Sequence, residues 1–307
     1  MSQLPTAWEA ALQRRQQLLS DESCLRLLHT EDTDLRLDRF GDVCWGYWYY
    51  PQDPSPSLHL QLDALCQRVG ATHWHLHGMS DRGKDPHQRR HWCSAHAPAH
   101  WIASEAPLQL ALYADRGQSP GLFLDQRRNR RWVRDHSAGR RIANLFAYTG
   151  AFGIAAAAGG ATEVEQVDVS RRYLKWAEEN ARLNGVSDSI THAAVDSRLF
   201  LRGCHKRGRR FDGIICDPPS FARGRRRGEP SFRIIDDLPD LVRSALDVLS
   251  EDGWLLVTSN HEGWSHDQME ASLNQLRPVH IDPITQSGQD YEPDGDEPLL
   301  KGFLLRR

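Results

Sequence analysis

Two short turns carry residue types that could handle a nucleoside. In the first, at residues 144–152, an apolar run ends at Phe146, Gly150 follows, and a helix is predicted to begin near Phe152. Such a turn lies at the carboxyl end of a parallel sheet, where open α/β folds bind ligands, and Gly150 would let a ligand approach the backbone. The next predicted strand ends at Asp168, whose carboxylate could accept hydrogen bonds from both ribose hydroxyls of an adenosine. The spacing therefore predicts a nucleoside-containing cofactor. A dinucleotide is disfavoured because the sequence lacks G-x-G-x-x-G and a P-loop lysine.

The second turn is rich in hydrogen-bond acceptors and ends in an aromatic ring. Asp217, Pro218 and Pro219 directly follow a buried-strand pattern, and Phe221 comes two residues later. Prolines supply no backbone N–H groups, so the turn offers carbonyl oxygens and the Asp217 carboxylate to the crevice. Acceptors beside a ring that can stack suit a nucleobase. The alternative is a proline-capped strand end with a phenylalanine in the core.

These turns need a parallel sheet to bring them together. Short apolar runs alternate with helix-length segments in the second half of the chain, which indicates βαβ units; they lie at residues 141–146, 163–168, 213–216 and 254–258. Composition changes near residue 105, because six of the ten tryptophans and nine of the fifteen histidines precede it. We therefore predict two domains: a smaller α+β domain at residues 1–105 and an α/β domain at residues 106–307.

The near-neutral charge of the chain hides two basic segments. Lys and Arg total 38 against 41 Asp and Glu, a formal net charge of -3. Seven arginines lie in residues 127–141, and nine Lys or Arg lie in residues 202–227. Four of these directly follow the acceptor-rich turn, and we expect them to bind phosphates rather than to form a solvated loop: Arg223, Arg225, Arg226 and Arg227.

Composition excludes several classes of protein. Hydrophobic residues make up 39% and charged residues 26% of the chain, which is ordinary for a globular protein and argues against disordered, collagenous and coiled-coil classes. No apolar run is long enough to cross a membrane, and the N-terminus lacks the features of a signal peptide, so we expect a cytoplasmic protein without a membrane partner. Six cysteines without a C-x-x-C pair predict free thiols.

Histidines are concentrated in residues 73–100. His73, His75 and His77 alternate and would share one strand face. A metal site is one interpretation, but no standard zinc spacing with cysteines accompanies them. We therefore expect a polar strand face and no metal.

Together these motifs resemble class I S-adenosylmethionine-dependent methyltransferases, specifically the cytosine-C5 and guanine-N7 methyltransferases of 23S ribosomal RNA. The resemblance covers about residues 121–307 and rests on segments 121–127, 144–150, 167–170, 217–221 and 300–302. It implies a Rossmann-like class I methyltransferase sheet, S-adenosyl-L-methionine as cofactor, and ribosomal RNA or a large-subunit precursor as partner. Residues 38–42 look like the small α+β domain that precedes the catalytic domain in this family. The family's N-terminal RNA-binding PUA domain is expected to be missing.

The resemblance also implies site residues. The expected cofactor-binding set is Gln126, Arg127, Phe146, Tyr148, Thr149, Gly150, Asp168, Asp196 and Asp217. Within it, Asp196 resembles the acid that accepts a hydrogen bond from the adenine amino group, although it could equally cap the following helix, and both roles can hold together. The expected catalytic set is Asp217, Pro218, Pro219 and Phe221.

The methylated atom is the remaining question. Cytosine C5 becomes nucleophilic only after a thiolate adds to C6, and the family's thiol sits in the turn after the strand at 254–258. Here that turn, residues 259–263, holds no cysteine, and Cys216 lies inside a predicted strand. The turn at residues 259–264 and the segment at residues 168–178 are more similar to the guanine-N7 branch of the family, so we favour guanine N7. This atom carries a free lone pair and needs alignment without a general base, which agrees with the missing nucleophile. Three alternatives stay open: methylation of cytosine C5, methylation of an exocyclic amine, and a noncatalytic RNA-binding assembly factor. The second is considered because Asp-Pro-Pro-x-Phe resembles the amine-methylating motif, although it carries one extra residue.

Overall fold

The computed structural model describes residues 3–81, 89–222, 231–276, 280–284, 287–291 and 300–306. The chain forms two compact units. One comprises Met1–Leu124 with Gly288–Glu292, and the other comprises Asp125–Ser287 with Pro293–Arg307. The division between the units falls after Leu124, later in the chain than the residue 105 that composition predicted. A β-hairpin spans that residue, with His100 paired to Tyr113 and Glu105 paired to Leu108, so its two strands cannot belong to different units.

The first unit has an α+β architecture. Its elements are α1 (Thr6–Arg14), α2 (Gln16–Asp21), β1 (Cys24–Leu28), β2 (Leu35–Phe40), β3 (Val43–Trp48), α3 (Pro56–Val69), β4 (His73–Gly78), β5 (His91–Cys93), β6 (His100–Glu105) and β7 (Leu108–Tyr113). Strands β1 to β5 form one sheet in sequence order, and β6 pairs with β7. The apolar stripes of α1 and α3 pack on the sheet, where Trp8 and Leu62 join Leu25, Leu37 and Leu76 in one core.

The second unit is built around a larger sheet. Its elements are α4 (Arg127–Asp135), β8 (Arg141–Leu145), α5 (Ala151–Ala158), β9 (Glu163–Val167), α6 (Arg171–Leu183), β10 (Ile190–Ala193), α7 (Ser197–Lys206), β11 (Phe211–Cys216), β12 (Phe221–Ala222), β13 (Phe232–Arg233), α8 (Ile234–Leu246), β14 (Leu249–Ser259), α9 (His266–Asn274), β15 (His280–Pro283) and β16 (Lys301–Arg306). Seven strands follow the order β10-β9-β8-β11-β14-β16-β15, and β16 runs antiparallel to both of its neighbours. Strands β12 and β13 form a separate antiparallel pair.

The strand order reverses beside β8. The chain runs from β8 through β9 to β10 and then returns to place β11 on the other side of β8. Leu145 at the end of β8 pairs with both Val167 of β9 and Cys216 of β11. The carboxyl ends of these three strands therefore meet at one edge, which is where open α/β sheets form a binding crevice.

Apolar packing fixes the sheet on which this edge depends. Buried side chains from β11, β14 and β16 pack with those of α8 in a single cluster that includes Ile214, Leu241, Leu255 and Phe303. Among the described residues, no helix combines the length and apolar composition that a membrane crossing requires.

Candidate active site

The turn after β8 has an unusual backbone. Phe146 has φ of 55°, Tyr148 has φ of 51° and Gly150 has φ of 84°. Left-handed conformations are uncommon for residues other than glycine and are frequent at functional sites. The turn is held to the next strand by a hydrogen bond of 2.9 Å from the Ala147 nitrogen to the Val167 carbonyl. The predicted residues of this turn thus stand at the crevice edge, with the Tyr148 ring 4.7 Å from that of Tyr173.

Buried amide side chains support this turn from below. Gln166 accepts a hydrogen bond of 2.7 Å from Asn144 and donates one of 3.0 Å to the Gly150 carbonyl. Asn180 donates one of 3.0 Å to the carbonyl of Thr149, which is itself buried. Sequence reasoning missed Gln166 and Asn180. The available signal was a polar residue on an apolar face: Gln166 lies two residues after Val164 in a strand, and Asn180 lies one helical turn after Trp176 and Ala177. Buried polar groups of this kind are retained when they are hydrogen-bonded.

These amides also explain the glycine at position 150. A Cβ atom there would lie 2.6 Å from Nε2 of Gln166 and 2.8 Å from Cβ of Ala177. The requirement for glycine therefore comes from its left-handed backbone and from close protein packing. The sequence predicted this glycine from the approach of a ligand, whereas the contacts that exclude a side chain at position 150 are with Gln166 and Ala177 of the protein itself.

Asp168 links the first turn to the second strand. Its Oδ2 accepts a hydrogen bond of 3.0 Å from the Tyr148 nitrogen, and its Oδ1 accepts one of 2.7 Å from the Ser170 nitrogen. The carboxylate is half-buried at the end of β9. Asp168 lies at the strand end that the sequence predicted, and its two hydrogen bonds hold the backbone that follows β8 and the backbone that follows β9.

Asp196 caps the helix that follows β10. Its Oδ1 accepts hydrogen bonds from the backbone nitrogens of Arg198 and Leu199, at 2.9 and 3.2 Å, and its Oδ2 lies 3.1 Å from the Arg198 guanidinium. Burial acts to raise the pKa of Asp196, but the hydrogen bonds and charge of Arg198 hold it below its usual value. The alternative role as an N-cap is therefore confirmed.

Two exposed apolar side chains flank these acids. Val169 follows β9 directly, and Leu199 lies in the first turn of α7, after β10. Sequence reasoning missed both. An apolar side chain next to a strand-end acid was a signal that could have located Val169, because an adenine ring needs an apolar surface beside the ribose-binding carboxylate.

The acceptor-rich turn follows β11. Phe221 is 50% exposed, so its ring is available for stacking, whereas Pro218 is buried and Pro219 is exposed. Asp217 is half-buried, and its Oδ1 accepts a hydrogen bond of 2.7 Å from the Thr258 hydroxyl. Burial raises the pKa of Asp217, opposed by hydrogen bonds from Thr258 and Gln126 and by the charge of Arg130.

Gln126 and Arg127 are not exposed at the surface of the crevice. Both side chains are buried, and Gln126 donates a hydrogen bond of 3.0 Å to the Thr258 hydroxyl. Arg130 is buried as well, so the arginine-rich α4 is only partly a solvated face. Thr258 and Arg130 were missed because Thr258 ends the predicted run at 254–258 without a recognisable motif and Arg130 is one of seven arginines in the basic segment 127–141.

The turn after β14 holds no thiol. Ser259 accepts a hydrogen bond from the His261 nitrogen, and the buried Lys301 donates one of 2.9 Å to the His261 carbonyl. Cys216 is fully buried in the apolar core, and burial raises the pKa of its thiol well above the usual value. All six cysteines are free, as predicted, and Cys93 is the exposed one.

Two further predictions concern other parts of the chain. Arg223, Arg225, Arg226 and Arg227 lie outside the described residues. The strand face with alternating histidines is less polar than expected, because His75 is buried and packs on Trp101, while His77 stacks on Trp45. Within the ranges that the structure describes, one group brings three potential metal-ligand atoms within 4.8 Å of one another: His266, Asp267 and Glu270 on α9.

The sequence model described as "S-adenosylmethionine-dependent methyltransferase" matches residues 61–278, more than half of the chain. The protein belongs to this family. The fold agrees: a candidate methyltransferase, SMU.776, solved with SAH superposes with a TM-score of 0.85 at 22% identity, covering 98% of this chain and 80% of that one. A SAM-dependent methyltransferase from Agrobacterium tumefaciens gives 0.67 at 24% identity, covering 89% and 87%. The predicted fold class is confirmed.

Curated relatives match somewhat more than half of the chain. The "Ribosomal RNA large subunit methyltransferase K" of Neisseria meningitidis serogroup B is 39% identical over 167 residues, which is 54% of this chain and 47% of that protein. The "Ribosomal RNA large subunit methyltransferase K/L" of Shewanella oneidensis is 36% identical over 179 residues, 58% of this chain and 24% of that protein. The chain therefore spans half or less of the length of these relatives.

The residues at the sheet edge fit the family's cofactor, S-adenosylmethionine. A half-buried carboxylate, Asp168, suits a ribose diol, and the exposed Val169 and Leu199 beyond adjacent strands offer an apolar surface to an adenine ring. The left-handed turn at Phe146 and Tyr148 lies beside that carboxylate. The predicted cofactor is thus matched by the chemistry of the site.

Proposed function

We propose that this methyltransferase modifies a base of large-subunit ribosomal RNA, and that the acceptor atom is N7 of guanine. The names of the two curated relatives support the ribosomal substrate. The acceptor atom is inferred from the chemistry of the crevice, and the N-terminal unit is proposed to help hold the RNA.

One observation carries the choice of atom: the crevice offers no thiol. Cys216, the cysteine next to Asp217 in sequence, is 0% exposed and belongs to the core cluster. The turn at residues 259–263 contains Ser259 and Asn260 where cytosine-C5 enzymes of the resembling family carry their cysteine. Without a thiolate, C5 of cytosine is not activated. Guanine N7 needs no such activation because it is already a nucleophile.

The site residues divide the work of binding and alignment. S-adenosylmethionine supplies an electrophilic methyl group on its sulfonium sulfur. Phe221 stacks on the target base, and the Asp217 carboxylate with the proline carbonyls accepts hydrogen bonds from the N–H groups of the guanine Watson–Crick edge. The N7 lone pair forms the new bond to the methyl carbon as the carbon–sulfur bond breaks, and no proton has to leave the base. Alignment of the two reactants is then the main catalytic contribution.

Cofactor contacts are proposed for the set that the resemblance implied. Asp168 binds the ribose diol, and Asp196 can accept the adenine amino hydrogen while it caps α7. Phe146, Tyr148, Thr149 and Gly150 of the first turn and Arg127 at the start of α4 are proposed as further contacts. Gln126 and Asp217, the other two members of the implied set, are assigned to the alignment of the base. The four arginines at positions 223, 225, 226 and 227 are proposed to bind RNA phosphates.

The test is methyl transfer to ribosomal RNA from cells that lack the gene. The purified chain, labelled S-adenosylmethionine and either naked RNA or large subunits would be incubated, and the nucleosides analysed by mass spectrometry. We expect 7-methylguanosine. A different methylated nucleoside would overturn the assignment to N7, and cofactor binding without any transfer to either substrate would overturn the proposal of ribosomal RNA.

One variant and one probe separate the acceptor atoms, and a second variant with its control tests stacking on the base. Cys216→Ala should retain activity at matched folded concentration, because the thiol is not part of the crevice. Phe221→Ala should slow transfer, with up to about 3 kcal/mol of stacking lost. Ile235→Ala removes another exposed apolar side chain and should have no such effect. An RNA that contains 5-fluorocytosine should form no covalent adduct with the enzyme. Detection of such an adduct would support methylation of cytosine C5 instead.

A further inference from the structure

A chain of three hydrogen bonds ends at the carboxylate of Asp217. Asn129 donates from Nδ2 to Oε1 of Gln126 at 2.8 Å, and Gln126 donates from Nε2 to the hydroxyl of Thr258 at 3.0 Å. Thr258 then donates its hydroxyl hydrogen to Oδ1 of Asp217 at 2.7 Å. The four residues come from α4, the short 3-10 turn before it, β14 and the end of β11.

The residues of this hydrogen-bond chain are buried, and the single hydroxyl hydrogen of Thr258 fixes its direction. Asn129 and Thr258 are 0% exposed and Gln126 is 3% exposed. A hydroxyl has one hydrogen to give, and the Gln126 amide already fills an acceptor position on the Thr258 oxygen. The Thr258 hydrogen is therefore directed to Asp217, where it stabilises the ionised carboxylate and fixes its rotation.

We propose that Thr258 and Gln126 are positioning residues that hold the Asp217 carboxylate in the orientation required for methyl transfer. This inference rests on the proposed function, in which Asp217 aligns the target base. It reassigns Gln126: the resemblance implied a cofactor contact, whereas its amide bonds to Asn129 and Thr258 inside the protein and also favours the ionised form of Asp217.

The groups around Asp217 have opposite effects on its ionisation, and the hydrogen-bond chain from Asn129 to Asp217, here called the relay, is one of them. Burial favours the neutral acid, while Arg130 of α4 favours the ionised form, and the neighbouring Cys216 thiol contributes no charge. The donors Thr258 and Gln126 are the remaining groups that favour ionisation. Removing the Thr258 hydroxyl should consequently move the titration of Asp217 to higher pH.

The first experiment compares Thr258→Val with Thr258→Ser. Valine keeps the shape and removes the donor, so kcat should fall roughly tenfold or more, as for loss of a hydrogen bond to a charged group. The Kd for S-adenosylmethionine, measured by calorimetry, should stay within about twofold, and serine should restore kcat. Normal kcat in Thr258→Val, or a cofactor Kd that weakens as much as kcat falls, would overturn the proposal.

A second variant tests whether Gln126 acts through the same path. Gln126→Met should also lower kcat, and the double variant with Thr258→Val should lose less than the sum of the two single losses, because both side chains act on the same carboxylate. Additive losses, or a selective loss of cofactor binding in Gln126→Met, would return Gln126 to the role of a direct cofactor contact. Melting curves establish that the compared variants are folded.

A readout without RNA keeps this inference separate from the proposed function. The Asp217 carboxyl carbon can be titrated by NMR in 13C-aspartate-labelled protein and assigned with Asp217→Asn. An upward shift of this titration in Thr258→Val supports the relay even if ribosomal RNA proves not to be the substrate. An unchanged titration would overturn the relay even if the enzyme methylates ribosomal RNA as proposed.

Discussion

Oδ2 of Asp168 accepts a hydrogen bond of 3.0 Å from the backbone nitrogen of Tyr148, which is held at φ of 51°. The carboxylate at the end of β9 thus stabilises the left-handed turn at the end of β8. One side chain serves both the backbone of the crevice and, in the proposed function, the ribose of the cofactor.

The first prediction follows from this double role. Asp168→Ala should weaken S-adenosylmethionine binding by about 2 kcal/mol, because hydrogen bonds to a charged group are lost. Asp168→Asn, which preserves shape and one acceptor oxygen, should fall between Asp168→Ala and the parent protein. Calorimetry with melting curves measures both effects. Parental affinity in Asp168→Ala would show that the second strand end does not bind the cofactor.

The second prediction compares two left-handed glycines. Gly185 has φ of 67° with no atom within 4 Å of a new Cβ, so Gly185→Ala should destabilise the protein by about 1 kcal/mol. Gly150→Ala adds contacts below 3 Å with Gln166 and Ala177, and overpacking of this kind costs about 1–3 kcal/mol more. Chemical denaturation measures the difference. Equal losses of unfolding free energy in the two variants would mean that Gln166 and Ala177 move aside at little cost.

The third prediction separates the two roles of Asp196. Asp196→Ala removes the N-cap of α7 and should lower the free energy of unfolding by about 1 kcal/mol. Asp196→Ser can still cap the helix and should recover most of that stability. If Asp196 also binds the adenine amino group, cofactor affinity will remain weak in Asp196→Ser. Recovery of both properties by serine would assign Asp196 to capping alone.

The fourth prediction concerns acid sensitivity. Burial lowers the pKa of His75 to about 4, and its ring contacts the Pro98 carbonyl and His91. The unfolded chain, with a histidine pKa near 6.5, binds this proton first, so stability from the neutral ring is full above about pH 6.5 and declines toward pH 4. The loss amounts to about 3 kcal/mol at 1.36 kcal/mol per pH unit.

Urea denaturation at pH 7 and pH 5 would check this prediction. His75→Gln should reduce the difference between the two pH values, whereas His205→Gln, at an exposed position, should leave it as in the parent. An unchanged difference in His75→Gln would assign the acid sensitivity to other groups.

The fifth prediction addresses the arginines outside the described residues. Replacing Arg225, Arg226 and Arg227 by Ala should flatten the salt dependence of RNA binding, because fewer phosphate counterions are displaced, and should leave cofactor affinity unchanged. A control triple at the exposed Lys175, Arg202 and Arg243 should change the salt slope less. Equal slopes in the two triples would return the segment to the status of a solvated loop.

The sequence alone was sufficient for the strand ends that carry the chemistry. The runs at residues 141–146 and 163–168 are β8 and β9 with ends one residue shorter, because glycine-containing turns precede both runs and mark where the strands begin. Ser170 caps α6 by accepting a hydrogen bond from the Tyr173 nitrogen, and a cap of this kind depends only on residues a few positions apart. Edge strand β10 went unpredicted because its four residues, half-exposed at the sheet margin, show no apolar run.

Only the tertiary structure decided which side chains act together. Gln126 and Thr258 are 132 residues apart, and Thr258 and Asp217 are 41 apart, so no local pattern links them. Likewise, the hairpin across residue 105 moved the unit boundary to Leu124 because strand pairing joins residues that composition had separated. Local sequence specifies turns, caps and strand ends, whereas buried hydrogen-bond partners are set by the register of strands that only folding brings side by side.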